Sequence, residues 1–175
     1  IVEPDLDELV KSAVKKGNLT ANINAEKADI FIITVPTPFK DNNEPDLKYV
    51  NSAISMILPF LIKGNLIIIE STSPVGTTMK VAEDIFKQRP ELLNNIDITY
   101  CPERVLPGRI LVELESNDRV IGGLDEKSAL SARDFYATFV KGELHLTNAK
   151  TAEMCKLVEN SSRDVSISFA NELSI

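Results

Sequence analysis

Short apolar runs alternate with amphipathic helical segments along the chain, and this alternation restricts the fold more than any other feature of the sequence. Strands are predicted at residues 29–35, 66–70, 96–101, 120–122 and 143–146. Helices are predicted at residues 6–17, 46–61 and 126–140, from a turn at 71–76 to residue 89, and from residue 148 onward. Strands separated by helices of about 10 to 15 residues favour parallel βαβ units with right-handed crossovers. We therefore predict an α/β fold with a doubly wound, Rossmann-like, mostly parallel sheet followed by one long helix.

The first apolar run, residues 29–35, has apolar side chains at consecutive positions. This pattern is typical of a strand that helices cover on both faces. In an open parallel sheet, ligands bind beyond the carboxyl ends of the strands. The residues that follow each strand are therefore the first candidates for a site.

Three loops follow the first three predicted strands and carry similar residues, at positions 35–38 (VPTP), 70–77 (ESTSPVGT) and 101–108 (CPERVLPG). Thr37 and Thr72 can donate or accept a hydrogen bond without charge, which suits a ribose or a carboxamide. Thr72 also has a structural alternative, because Ser and Thr before a helix most often cap it. Glu103 can act as a general base or orient a water, and its alternative is a loop carboxylate paired with Arg104 or Arg109.

Three polar residues of the last predicted helix project from one face, because Lys156, Asn160 and Arg163 are spaced by four and three positions. A Lys ammonium beside an amide can stabilise a developing oxyanion, and a desolvated Lys can shuttle a proton. The alternative is a solvated charged stripe, in which Glu153 and Glu159 pair with these side chains.

The amino-acid composition disfavours several classes of binding partner. The 26 Asp and Glu residues outnumber the 19 Lys and Arg residues, and the formal net charge of −7 disfavours nucleic acid and anionic membranes. The apolar runs are far shorter than the roughly 20 residues that span a bilayer. Cys101 and Cys155 fit neither a disulfide framework nor a metal-ligand pattern, so we predict two structural cysteines, no metal site and a reducing, cytoplasmic location.

Five motifs resemble, in order, those of the UDP-glucose/GDP-mannose dehydrogenase family: residues 1–6 (IVEPDL), 35–38 (VPTP), 70–76 (ESTSPVG), 100–108 (YCPERVLPG) and 152–160 (AEMCKLVEN). The resemblance covers essentially the whole chain. Residues 102–108, 118–123 and 163–173 are most similar to the branch that oxidises UDP-N-acetyl-D-mannosamine at C6. Members that oxidise UDP-glucose usually carry Phe and a second Glu where this chain has Arg104 and Pro107. This difference argues against UDP-glucose as the substrate, and it means that the loop of this chain lacks one carboxylate that those members have.

The resemblance implies NAD as the cofactor and a UDP-sugar as the substrate. It implies that Thr37 and Thr72 contact NAD, with Thr72 also among the catalytic residues, and that Glu103 works with a water near the reacting carbon. Arg104 and Val105 would contact the nucleotide sugar. The resemblance further implies that Lys156 is the acid/base and oxyanion partner, and that the substrate face is completed by Asn160 and Arg163.

The resemblance also implies a division of the chain. Residues 1–147 would form an NAD-binding domain without its first βαβ portion, and residues 148–175 would begin a central helix that mediates a homodimer. The family's four-electron oxidation uses a cysteine in a Gly-x-Cys segment, which we expect beyond Ile175, and a Gly-rich turn expected before Ile1. We therefore expect this chain to be inactive alone. The alternatives are a UDP-N-acetylglucosamine 6-dehydrogenase and a non-catalytic, dimerising α/β module.

Overall fold

The computed structural model describes residue 3 and residues 5–175, so Ile1, Val2 and Pro4 of the first motif lie outside the described residues. The strands are β1 (Ile30–Ile33), β2 (Leu66–Ile69), β3 (Asp97–Tyr100), β4 (Arg119–Gly123) and β5 (Leu144–Asn148). The helices are α1 (Leu6–Lys15), α2 (Lys48–Ile57), α3 (Thr77–Gln88), α4 (Ile110–Ser116), α5 (Glu126–Tyr136) and α6 (Ala149–Leu173). No helix in this described part of the chain is long and apolar enough to cross a membrane.

The five strands form one sheet in the order β1-β2-β3-β4-β5. β1, β2 and β3 are parallel to one another, and β5 is parallel to β4. The mostly parallel α/β fold is therefore confirmed. The expectation of parallel units throughout is wrong at one position, because β4 pairs antiparallel with β3. The connection between β3 and β4 returns to the same end of the sheet, so the chain re-enters the sheet in the opposite direction.

Two apolar layers cover the sheet. One contains Ile67, Ile69 and Ile98 of the strands with residues of α2, α3 and α6. The other contains Ile68 and Ile121 with residues of α5. β1 is an edge strand whose Ile32 is 40% exposed, so the prediction that both of its faces are covered is wrong for this part of the chain.

Several helices are shorter than predicted, and one helix is additional. α2 ends at Ile57 and continues as a 3-10 turn at Leu58–Phe60, because Pro59 has no amide hydrogen for the α-helical ladder. α4 was not predicted from the sequence. Its first turn is capped by Glu3, whose carboxylate accepts hydrogen bonds from the amides of Gly108 and Ile110 at 2.7 and 2.5 Å.

The start of α6 lies unusually close to β4, and Gly122 permits this approach. A Cβ atom at residue 122 would lie 2.6 Å from the Cβ of Ala152 and 2.7 Å from the carbonyl oxygen of Asn148. The Asn148 side chain also caps α6, accepting a hydrogen bond from the amide of Thr151 at 2.9 Å. The path of α6 across the sheet, and with it the position of Lys156, therefore depends on a glycine in β4.

Gly122→Ala should lower the free energy of unfolding by about 1–3 kcal/mol, because the added methyl overpacks the contact between α6 and β4. Urea denaturation measures the change. Gly122→Ala combined with Ala152→Gly should recover part of the loss, since the second change removes the closest atom. Equal stability of Gly122→Ala and the wild type would contradict this close packing.

Candidate functional site

The carboxyl ends of β1, β2 and β3 lie side by side, and the loops that follow them form one rim. Ser71 holds two of these loops together. Its hydroxyl donates a hydrogen bond to the carbonyl of Val35 at 2.7 Å, and its amide donates to the carbonyl of Ile33 at 3.2 Å. The loop after β1 and the loop after β2 are thus fixed relative to each other without charged groups.

A cleft of about 330 Å³ opens at this rim, and we call it the rim cleft. It is lined by Thr34, Val35, Pro36, Thr37, Glu70, Ser71, Thr72 and Glu103. Three residues proposed from the sequence, Thr37, Thr72 and Glu103, are therefore brought together. The lining contains two carboxylates and no basic side chain, which suits an uncharged or cationic polar group better than a phosphate.

Glu103 does not pair with either arginine that the sequence alternative proposed. Its carboxylate accepts a hydrogen bond from the amide of Val105, two residues along the same loop. Its carbonyl accepts a hydrogen bond from the ammonium of Lys156 at 2.6 Å. Lys156 of α6 is thereby held against the loop that contributes Glu103 to the rim cleft.

The capping alternative for Thr72 is wrong, because α3 begins at Thr77 and the acceptor for its first amides comes from α6. The carboxylate of Glu153 accepts hydrogen bonds from the amides of Gly76 and Thr78 at 2.6 and 2.8 Å, and from the Thr78 hydroxyl at 2.7 Å. Glu153 is fully buried. This contact fixes α6 to the end of the Thr72 loop and occupies the amides that could otherwise bind an anion.

The second group of proposed residues lies along α6. Arg104 and Arg163 line a cavity of about 460 Å³ together with Val158, Glu159 and Ser162, and we call it the helix cavity. Arg104 forms a two-point ion pair with Glu159, in which Nε lies 3.0 Å from Oε2. The alternative in which Glu159 pairs with the charged stripe of α6 is therefore wrong, because its partner is Arg104 of the loop after β3.

Two proposed residues lie apart from both cavities. Asn160 is exposed on α6, and its side chain makes no hydrogen bond within the described part of the chain. Val105 is half-buried in the loop after β3, where its amide supports Glu103. The structure thus places Thr37, Thr72, Glu103 and Lys156 at one rim, and it places Arg163 of α6 and Arg104 of the loop after β3 at the helix cavity.

A buried polar network lies beneath the rim cleft. The Tyr136 hydroxyl donates a hydrogen bond to Oε1 of Glu70 at 2.5 Å, and the Arg119 guanidinium lies 3.7 Å from the same oxygen. Arg119 also stacks over the Tyr136 ring at 4.8 Å. Burial raises the pKa of Tyr136, and the neighbouring Cys101 and Glu70 add to this shift.

Cys101 lies in the same network and is fully buried. Burial raises the pKa of its thiol to about 11, although the nearby Tyr136 hydroxyl and Arg119 charge act in the opposite direction. Below that pH the thiol stays protonated. Because the thiolate is the nucleophile in cysteine chemistry, this environment argues for the structural role predicted from the sequence.

Brief treatment of the folded protein with iodoacetamide at pH 8 and at pH 10 should modify Cys155, which is partly exposed, and leave Cys101 unmodified. Both pH values lie below the raised pKa of Cys101, so its protonated thiol predominates at each, and burial keeps the reagent away from it. Peptide mass spectrometry identifies the modified site. In denaturant both cysteines should react. Modification of Cys101 in the folded state as fast as Cys155 would contradict the burial of this thiol.

Sequence reasoning missed three glutamates of the site. Glu70 ends the second predicted strand and begins the loop at 70–77, but no role is predicted for it from the sequence, although a carboxylate after four buried apolar residues is a signal for one. Glu153 and Glu159 were considered only as partners of charged residues on their own helix. Their true partners lie 75 and 55 positions away in the sequence, and no local pattern reveals such contacts.

Comparison with known proteins gives one family. Residues 1–140 match the model of the UDP-glucose/GDP-mannose dehydrogenase family, NAD binding domain. A UDP-N-acetyl-D-mannosamine dehydrogenase of Yersinia pestis is 54% identical over 183 aligned positions, which include the whole chain and 44% of the relative. An NDP-N-acetyl-D-galactosaminuronic acid dehydrogenase of Ralstonia nicotianae is 51% identical over the whole chain and 43% of its own length.

The solved structure of a UDP-D-ManNAc dehydrogenase from Pyrococcus horikoshii is also similar. It superposes with a TM-score of 0.89 at 42% sequence identity, over 98% of this chain and 42% of that protein. The chain thus spans less than half the length of the relatives it matches.

Proposed function

Because the chain belongs to the UDP-glucose/GDP-mannose dehydrogenase family, we propose that it serves the NAD-dependent oxidation of UDP-N-acetyl-D-mannosamine at C6, from alcohol to carboxylate. NAD is the cofactor of this family's matched domain. The observation that carries the proposal is the rim cleft, where Thr37, Thr72 and Glu103 meet and where Lys156 is anchored to the Glu103 carbonyl.

The residues of the rim cleft fit the nicotinamide part of NAD. Thr37 and Thr72 offer uncharged hydrogen-bonding groups, and the absence of basic side chains from the lining leaves no partner there for the pyrophosphate. When bound, NAD supplies the hydride acceptor. We assign Thr37 and Thr72 to cofactor binding, and Thr72 also to the catalytic surroundings.

Alcohol oxidation requires a group that takes the hydroxyl proton and a charge that stabilises the alkoxide as it forms. Lys156 has an ammonium at the rim, and Glu103 has a carboxylate in the same cleft. We assign Lys156 the acid/base and oxyanion role, and Glu103 the placement of a water near the reacting carbon. Asn160, one helical turn beyond Lys156, completes this face.

The UDP portion of the substrate is anionic and needs cations. Arg104 and Arg163 line the helix cavity, and guanidinium groups match phosphate oxygens well. Arg163 has no ion-pair partner among the described residues, whereas Arg104 already pairs with Glu159, which a phosphate would have to displace. We assign both arginines to the nucleotide sugar, with Val105 as an adjoining contact. The net charge of −7 disfavours binding of nucleic acid, and the two arginines are the only cations among the described residues that line the helix cavity. Both observations favour a local anion site over an extended nucleic-acid surface.

We further propose that residues 1–147 are the NAD-binding domain and that residues 148–175 begin a central helix with a homodimer contact. Large apolar side chains are exposed along the second half of α6, at Val165, Ile167, Phe169 and Leu173. Val165, Phe169 and Leu173 are spaced by four residues and share one face of α6, and an exposed apolar face of this kind is typical of an interface. Two free cysteines support a reducing, cytoplasmic location.

The sugar assignment is tested by assaying NADH formation with UDP-N-acetyl-D-mannosamine, UDP-N-acetylglucosamine and UDP-glucose, using the full-length protein that contains this chain. The highest kcat/KM is expected with UDP-N-acetyl-D-mannosamine. Oxidation of another UDP-N-acetylhexosamine is the second candidate function, because a relative at 51% identity is named an NDP-N-acetyl-D-galactosaminuronic acid dehydrogenase. A preference for UDP-glucose would contradict the interpretation of Arg104 and Pro107. No turnover of any nucleotide sugar by a folded protein would favour the non-catalytic module.

A further inference from the structure

Glu70 is the one carboxylate of the rim cleft that has no role in the function proposed above. It directly follows β2, and its side chain is 17% exposed. Its Oε1 accepts the hydrogen bond from Tyr136 and faces the Arg119 guanidinium. Its Oε2 has no hydrogen-bond partner among the described residues, and it is not among their buried unpartnered atoms. One oxygen is therefore held by the protein, while the other remains available to a ligand.

Two groups of the protein contact Oε1 of Glu70. A phenol hydroxyl donates to it at 2.5 Å, and the 3.7 Å distance to Arg119 adds a favourable charge interaction. Arg119 is itself only 5% exposed and does not line the rim cleft. The negative charge therefore faces the ligand, while the compensating positive charge lies beneath it in the network with Tyr136 and Cys101.

The electrostatic character of the rim cleft follows from these positions. Glu70 and Glu103 both line it, and the other lining residues are uncharged. The two oxidation states of the cofactor differ in the charge of the nicotinamide ring, which is cationic in NAD+ and neutral in NADH. A fixed negative charge beside the ring stabilises the cationic ring of NAD+ relative to the neutral ring of NADH. This interaction is stronger in a cleft that is partly shielded from water than in water itself.

We propose that Glu70 is a cofactor-binding residue whose carboxylate shifts the affinity of the rim cleft toward the cationic ring of NAD+ relative to the neutral ring of NADH. This inference rests on the proposed function, because it places the nicotinamide in the rim cleft. Its consequence is that the reduced cofactor is released more readily after each hydride transfer. The four-electron oxidation proposed above requires such an exchange between its two steps.

The test measures dissociation constants of NAD+, NADH and ADP-ribose by isothermal titration calorimetry, using the full-length protein and its Glu70→Gln variant. Glutamine keeps the size of the side chain and an acceptor for the Tyr136 hydroxyl, but removes the charge. The ratio of the NADH to the NAD+ dissociation constant should fall about 3- to 10-fold. ADP-ribose lacks the ring, so its affinity should change less than about 2-fold if the effect is local.

The matched control is Glu83→Gln, which removes the same charge from an exposed position of α3. It should leave the ratio unchanged. If Glu70→Gln weakened the binding of NAD+ and NADH equally, the inference would be overturned. Glu70 would then contact a group that is the same in both forms of the cofactor. Weakening of all three ligands would also overturn it, since that result describes a structural role.

A second test uses only the wild-type protein, so it can be carried out even if the Glu70→Gln variant does not fold. Saturation-transfer NMR compares 1-methylnicotinamide, a cation, with nicotinamide, which is neutral. The cation should bind more tightly, by about 3-fold or more at low ionic strength. Equal binding of the two rings would overturn the inference and leave the proposed function standing. A wild-type protein that binds neither NAD+ nor NADH would overturn both.

Discussion

Replacing Lys156 with methionine should lower kcat for the nucleotide sugar by about 10²- to 10³-fold, the usual effect of removing one group that stabilises a developing oxyanion. Methionine keeps the unbranched stem of the side chain and removes the ammonium. That ammonium lies 2.6 Å from the Glu103 carbonyl, at the rim where Glu103 also enters the cleft. Steady-state NADH formation by the full-length protein measures the effect.

The control for this variant is Lys150→Met, which removes the same group from an exposed position in the first turn of α6. It should change kcat by less than about 2-fold. NAD+ affinity and thermal stability should stay close to the wild type in both variants. If Lys156→Met retained a tenth or more of the activity, Lys156 would be a structural tether of the Glu103 loop and the acid/base assignment would fail.

Glu153→Ala should lower the free energy of unfolding by about 2–4 kcal/mol, because it leaves two buried donors and one partly buried donor without their acceptor. These donors are the amides of Gly76 and Thr78 and the Thr78 hydroxyl. Glu153 is fully buried at the contact of α6 with the start of α3, so the loss falls in the interior of the protein. Chemical denaturation measures the loss. Glu153→Gln should cost less, because its amide oxygen can keep one of the hydrogen bonds.

Glu172→Ala is the matched control for the Glu153 prediction, since it removes a glutamate from an exposed position of the same helix. It should change the free energy of unfolding by no more than about 0.5 kcal/mol. A Glu153→Ala protein as stable as this control would show that α3 does not depend on the acceptor that α6 provides.

The rim cleft could be predicted because its geometry follows from local patterns and one topological rule. Apolar runs located β1, β2 and β3, and ligands of parallel sheets bind at the carboxyl ends of the strands. Thr37, Thr72 and Glu103 lie in the loops that follow those ends and do line one cleft. The family resemblance added their roles, which the residues alone left open between function and structure.

Other features depend on contacts between distant parts of the chain. The direction of β4 is set by where the connection after β3 returns to the sheet, and the strand's own sequence suits either direction. α4 has seven residues, too few for a clear helical period, and its cap comes from Glu3 more than 100 positions earlier. The pairing of Glu159 with Arg104 likewise exists only once α6 lies against the loop after β3.

The stoichiometry of the reaction is the decisive test of the proposed four-electron, NAD-dependent oxidation by the full-length protein at the rim cleft. Complete conversion of a limiting amount of UDP-N-acetyl-D-mannosamine should yield about two NADH and one carboxylate per sugar, because each NAD accepts one hydride. Product mass and NADH absorbance can be followed in the same sample. One NADH per sugar with an accumulating aldehyde, or sugar consumption without NADH, would contradict the account.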